Sequence, residues 1–122
     1  MARERRDAGM ATAELAMVIP AVLLVLAMCL TGLSLGADQI RCVDAARAAA
    51  RAASRGEPTA DVRRLAQALA PSGSQVQIDL DAGRGEVSVT VRAPRHTRLL
   101  ASLPAPSATA SAPLEPVVGS DP

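Results

Sequence analysis

The sequence predicts a membrane-anchored α+β protein, with a long N-terminal helix followed by a short helix packed on a small antiparallel β-hairpin or sheet. Three observations indicate this fold class. An apolar run of 21 uncharged residues lies at Leu15–Leu35, an alanine-rich segment follows it, and two later segments alternate apolar and polar residues. Since the chain has 122 residues, it can form at most one small domain outside a membrane.

The apolar run at Leu15–Leu35 has the length of a transmembrane helix, because a helix of this length extends about 30 Å. A chain this short has no core that could surround so apolar a helix on every side. Pro20 lies inside the run, removes one backbone hydrogen bond and is expected to bend the helix. We expect the N terminus in the cytoplasm and the C-terminal domain outside, since long segments cross membranes largely regardless of their charge.

After the apolar run, the helix is expected to continue to Arg55 as an exported stalk. The segment Ala37–Arg55 is rich in alanine, the best helix former, and Gly56 is a natural C-terminal cap. The alanines keep one side of the stalk thin, so that a helix of another subunit could approach closely. Charges three residues apart predict two ion pairs, Asp38 with Arg41 and Asp44 with Arg47.

The two cysteines, Cys29 and Cys42, are too far apart in a helix to form a disulfide within one chain. Cys29 lies in the apolar run and is interpreted as a small hydrophobic residue. For Cys42 two interpretations stay open. It forms a disulfide with another chain, or it is a small buried residue at a helix contact.

Residues 57–94 are expected to form a small exported α-β-β domain. Thr59 is positioned to cap a short helix, whose apolar stripe consists of Val62, Leu65, Ala66 and Leu69. Two alternating segments then predict half-buried strands, with apolar positions at Val76, Ile78 and Leu80 and at Val87, Val89 and Val91. The glycine-containing link 81–85 between them predicts an antiparallel hairpin, which the short helix covers.

Residues 95–122 form a tail rich in proline, alanine and serine. Its composition favours disorder, since no large apolar residue lies between Leu103 and Leu114. The alternation within 107–112 equally suits a third strand at the edge of the sheet.

Composition excludes several classes of function. A net charge of +1 and the absence of aromatic residues argue against nucleic-acid binding. His96 is the single histidine and has no ligand cluster at metal-binding spacing, so no metal or other cofactor is expected. No nucleophile–base pair or phosphate-binding loop is present, so we expect neither an enzyme nor a small-molecule substrate.

The N-terminal junction has three interpretations. A secretory signal cleaved after Gly36 would release a small binding module, but the apolar run is too long for such a signal. A lipoprotein signal requires a small residue before the modified cysteine, and Met28 occupies that position. In the third interpretation, a short charged leader ends at Gly9, and Glu14 stands alone at the start of the apolar run.

This third arrangement resembles the class III signal of type IV prepilins, which a prepilin peptidase cuts after the glycine. Met10 would then be the first mature residue and Glu14 the fifth. The start Ala13-Glu14-Leu15-Ala16, with Pro20 downstream, resembles that of TadE-like minor pilins, although phenylalanine is more usual at Leu15. The run Arg41–Arg51 is similar to the alanine- and arginine-rich segment of actinobacterial TadE proteins.

The resemblance implies a structural minor pilin or pseudopilin of the tight-adherence (Flp, type IV-like) pilus. It would be inserted in the cell membrane, contact lipid, and be processed and assembled with other pilin subunits and the assembly machinery, as part of a surface pilus. The chain would divide into a cytoplasmic leader at 1–9, a transmembrane and stalk helix at 10–56, the exported domain at 57–94 and the tail.

Two interpretations of Glu14 stay open on the residues alone. In an assembled filament, as the family implies, its carboxylate would pair with the α-amino group of a neighbouring subunit and register the two subunits. Otherwise it is an interfacial charge in the first turn of a helix, where the macrodipole favours a carboxylate. The alternative to a pilin is an uncleaved single-pass accessory subunit of a secretion or envelope complex.

Overall fold

A computed structural model of the chain describes residues 2–95 and 102–115, with side chains from residue 9 onward. In chain order, the elements are α1 (Ala2–Ser54), α2 (Thr59–Leu69), β1 (Gln75–Asp81), β2 (Glu86–Arg92) and β3 (Ser107–Pro113). This confirms the predicted fold class of a long apolar helix, a short helix and a small antiparallel sheet. The chain divides into an N-terminal unit, Met1–Ser34, and a C-terminal unit, Leu35–Pro122.

The N-terminal unit consists of the first part of α1. Its large apolar side chains are at least half exposed from Met10 to Leu33, and the helix continues through Pro20. Within the described residues, α1 is long and apolar enough to cross a membrane. The bend expected at Pro20 stays a prediction.

The C-terminal end of α1 has the cap that the sequence predicts. Gly56 has a φ of 80°, a left-handed conformation that favours glycine. Its N–H donates to the carbonyl of Ala53 at 3.0 Å, and the N–H of Glu57 donates to the carbonyl of Ala52 at 3.3 Å. These bonds satisfy carbonyls that the end of the helix would otherwise leave without partners.

The sheet has the strand order β1-β2-β3, and both pairings are antiparallel. The predicted hairpin of β1 and β2 is therefore confirmed. Of the two interpretations of the tail, the structure has the strand at Ser107–Pro113; residues 96–101 and 116–122 lie outside the described residues. On the inner face, the central strand contributes three side chains that are completely buried, Val87, Val89 and Val91.

Helices α1 and α2 supply the rest of the core. From α2, Val62 and Ala66 are buried, whereas Leu65 and Leu69 keep 36% and 44% of their surface exposed. The cap expected at Thr59 is wrong, because Pro58 occupies the cap position and no side chain caps the helix. The carbonyl of Pro58 instead accepts the first N–H bonds of the helix.

The alanines of α1 pack inside their own unit. Cys42, Ala45, Ala49, Ala52 and Ala53 belong to one buried cluster with the valines of β2, and the alanines of β3 pack against it. The expectation that these alanines admit a helix of another subunit is wrong for this reason. The helix and the sheet therefore meet through small side chains on α1 and β3.

Truncation at the centre of this core should destabilise the C-terminal unit. We expect Val89→Ala to lower the free energy of unfolding by about 2 kcal/mol, because it removes buried methyl groups and leaves a cavity. Ser88→Ala, on the opposite face of the same strand, should change it by less than about 0.5 kcal/mol. Urea unfolding of the detergent-solubilised chain, followed by circular dichroism, measures both. Equal effects would contradict the core assignment.

Candidate functional site

The proposed cleavage pair, Gly9 and Met10, lies within α1. Both residues are exposed, and a Cβ atom at Gly9 would meet nothing within 4 Å. A side chain at this position is therefore compatible with the helix. Glycine in a helix lowers its stability by about 1 kcal/mol relative to alanine.

Glu14 lies one helical turn after Met10, on the same side of α1. The rise between the two residues is about 6 Å along the helix axis. Glu14 is exposed, and no ion pair among the described side chains includes it. Its carboxylate is therefore available to a partner outside this chain.

A shallow apolar groove runs along α1 after Glu14. Its lining consists of Met17, Val18, Ala21, Val22, Val25, Leu26 and Cys29. The first of these residues lies one turn before Pro20 and the last is the free cysteine of the apolar run. Lipid chains or an apolar helix fit such a surface, because it offers almost no polar group.

In the C-terminal unit, the side chain of Gln39 on α1 forms two hydrogen bonds with the backbone at the start of β3. Its side-chain N–H donates to the carbonyl of Ser107 at 2.9 Å, and its side-chain oxygen accepts the N–H of Ser107 at 3.1 Å. The amide of Gln39 thus replaces a neighbouring strand at this edge position. Such pairing leaves less of the edge of β3 free to pair with a strand of another chain.

Two further contacts hold β3 against α1. The thiol of Cys42 lies 3.8 Å from the carbonyl oxygen of Pro106, and the N–H of Glu115 donates to the carbonyl of Ser54 at 3.1 Å. Cys42 is completely buried, which agrees with the interpretation of a small buried residue rather than an interchain disulfide. Sequence reasoning missed this set of contacts, because they join residues more than 60 positions apart.

The charged side chains of α1 do not form the predicted pairs. Ion pairs of the described residues join Arg55 to Glu57, Arg64 to Asp61 and Arg84 to Asp81. Neither Asp38 with Arg41 nor Asp44 with Arg47 is among them. Asp38 is instead largely buried.

The described residues contain no group of three or more histidine, cysteine or acidic side chains that could hold a metal. His96 lies outside them. The buried thiol of Cys42 has a raised pKa, chiefly because burial disfavours the thiolate; a hydrogen bond with the backbone of Ala93 opposes this shift and the charge of Asp38 adds to it. A neutral, buried thiol is a poor nucleophile.

Comparison with known proteins identifies relatives of this chain. The sequence profile described as TadE-like protein matches residues 9–51. The curated protein Apoptosis inhibitor Rv3655c of Mycobacterium tuberculosis is 44% identical over 94 residues, which cover 74% of this chain and 68% of the relative. No solved structure matches the chain. The profile match begins at Gly9 and includes Met10, Glu14 and Cys42.

The raised pKa of Cys42 predicts a loss of stability at alkaline pH. Below pH 9.0, the ordinary pKa of a thiol, the protonated thiol of Cys42 contributes its full stabilisation of the folded state. This stabilisation is lost as the pH rises through the raised pKa, since only the unfolded state readily releases the proton. Tyrosine is absent and every basic residue is arginine, so no other buried side chain titrates in this range.

In a Cys29→Ala background, we therefore expect the urea midpoint to fall between about pH 8 and about pH 10. The same comparison in Cys29→Ala/Cys42→Ala should show a flat profile. An equal fall in both variants would assign the pH dependence to another group.

Proposed function

Because the chain belongs to the TadE-like family of tight-adherence pilus-associated proteins, we propose that it is a structural minor pilin or pseudopilin that takes part in pilus assembly, adhesion or secretion. The family is structural rather than enzymatic. The observation that carries the proposal is the placement of Gly9, Met10 and Glu14 at the start of an apolar helix, inside the matched segment. No role in apoptosis is carried over from the relative.

The proposed anchor is the apolar part of α1, around Leu15–Leu35. Its large apolar side chains are at least half exposed from Leu15 to Leu33, which water would disfavour and lipid would accept. The charged leader is proposed to stay on the cytoplasmic side, with the C-terminal unit outside the cell membrane.

The proposed processing step is hydrolysis of the peptide bond between Gly9 and Met10 by a prepilin peptidase. Water adds across this bond, so that Gly9 leaves with a new carboxylate and Met10 keeps a new α-amino group. The charged segment 1–9 is removed, and the mature chain begins close to its apolar helix.

Assembly is proposed to pair the carboxylate of Glu14 with the α-amino group of a neighbouring subunit. Each charge is unfavourable in an apolar environment, and only their pairing neutralises both. The apolar groove from Met17 to Cys29 then packs against helices of other pilin subunits. Pairing fixes the axial register of the helices, while the groove supplies the contact area.

The first test is the N-terminal residue and intact mass of the chain from its native membrane. We expect a chain that begins at Met10, whereas Gly9→Val should retain the leader because its side chain blocks peptidase recognition without a clash in the helix. Gly32→Val is the matched control, since Gly32 also has open space around its Cβ position. A native chain that still carries 1–9 would support the uncleaved accessory subunit instead.

The second test separates the charge of Glu14 from its position. We expect Glu14→Gln to lower incorporation into the sheared pilus fraction by at least about tenfold, since it leaves an amine unpaired in an apolar environment. The double variant Glu14→Ala/Ala13→Glu keeps the carboxylate but rotates it by about 100° around the helix, and it should not restore incorporation. Normal incorporation of Glu14→Gln would remove the proposed registration.

A further inference from the structure

The C-terminal unit has two layers, and their outer surfaces carry opposite charge. The first surface is the outward side of α1, where Arg47 and Arg51 form what we call the arginine row. The second is the outward face of the β1–β2 hairpin, where Asp79, Asp81 and Glu86 form what we call the carboxylate patch. The buried core separates the two surfaces, because α1 covers one face of the sheet and the carboxylates lie on the other.

The arginine row points directly away from the core. Arg47 and Arg51 are exposed and lie four residues apart, so their side chains share one side of the helix. The alanines on the opposite side are buried. No ion pair among the described residues includes either arginine, although Asp44 stands three residues before Arg47.

The described ion pairs of the single chain neutralise only part of the carboxylate patch. Asp81 and Glu86 are direct partners in the register of β1 and β2, and like charges opposite each other destabilise a sheet. Asp79 adds a third carboxylate two residues along the same face. Arg84 approaches Asp81 at 3.6 Å, but the described ion pairs supply no cation to Asp79 or Glu86.

We propose that the arginine row of one copy of this chain binds the carboxylate patch of a second copy. Charge complementarity carries this choice of partner. The spacing also fits, since Arg47 and Arg51 are about 6 Å apart along a helix and the diagonal neighbours Asp79 and Glu86 are about 7 Å apart across the two strands. The bound arginines supply cations to Asp79 and Glu86, to which the described ion pairs of the single chain supply none.

The contact is heterologous, because the two complementary surfaces lie on opposite sides of the same unit. A bound pair therefore retains one free arginine row and one free carboxylate patch, and further copies can add in the same direction. The inference rests on the proposed function in one respect, that copies stand side by side in a membrane-anchored assembly. Exposed ion pairs are individually weak, so the contact orients neighbouring units rather than holding them together.

The test uses cysteine cross-linking of the full chain in its native membrane. Ala48→Cys beside the arginine row and Ser88→Cys beside the carboxylate patch are combined with Cys29→Ala; buried Cys42 is retained, and its protection from alkylation reports that the unit is folded. Oxidation should give a ladder of dimers, trimers and larger species. Each single cysteine variant should remain monomeric. Monomers alone, dimers alone or a cross-link to a different protein would overturn the proposal.

Charge reversal in the same background tests the ion pairs themselves. We expect Arg47→Glu/Arg51→Glu to reduce the ladder by at least about tenfold and the added reversal Asp79→Arg/Glu86→Arg to restore it. Arg64→Glu on α2 is the matched control and should leave the ladder unchanged. A ladder that survives reversal of the row would overturn the charge pairing.

The N-terminal residue of the same sample separates the two hypotheses. A folded chain that begins at Met10 but gives no ladder overturns this contact and leaves the pilin proposal standing. A folded chain that retains its leader and gives no ladder overturns both.

Discussion

The C-terminal unit depends on close packing between the alanines of α1 and one face of a three-stranded sheet. The chain has no aromatic residue, so its core consists mainly of alanine and valine, which stabilise only at short range. The buried cluster therefore depends on the alanines of α1 remaining in place on the sheet. The hydrogen bonds of Gln39 with Ser107 and of Glu115 with Ser54 hold β3 to α1 at both ends of the strand.

This packing leaves α1 with two different kinds of surface. Before the C-terminal unit it exposes apolar side chains all round, which suits lipid and other apolar helices. Within the unit, one side is buried in the chain's own core and the other carries Arg47 and Arg51. Under the proposals above, the first part of the helix contributes to assembly by apolar packing and the last part by charge.

The sequence predicts the candidate site because that site depends on short-range spacing. Gly9, Met10 and Glu14 lie within two helical turns, so their relation follows from helix geometry alone. The hydrogen bonds between Gln39 and Ser107 join residues 68 positions apart, and no local pattern indicates them. For the same reason, the sequence wrongly predicts a helix of another subunit beside the alanines of the stalk, because composition does not indicate which surface covers that side of the helix.

The sequence by itself determined the elements whose signals are local: the long helix, its end at Gly56, α2 and the β1–β2 hairpin. It did not determine ion pairs or side-chain caps, which depend on side-chain placement. Asp44 and Arg47 do not form the predicted ion pair, and the side chain of Thr59 does not cap α2. Only the tertiary structure decided that the segment from Ser107 to Pro113 is a strand. Alanine and serine have little strand preference of their own, and this segment becomes ordered by pairing with β2 and packing against α1.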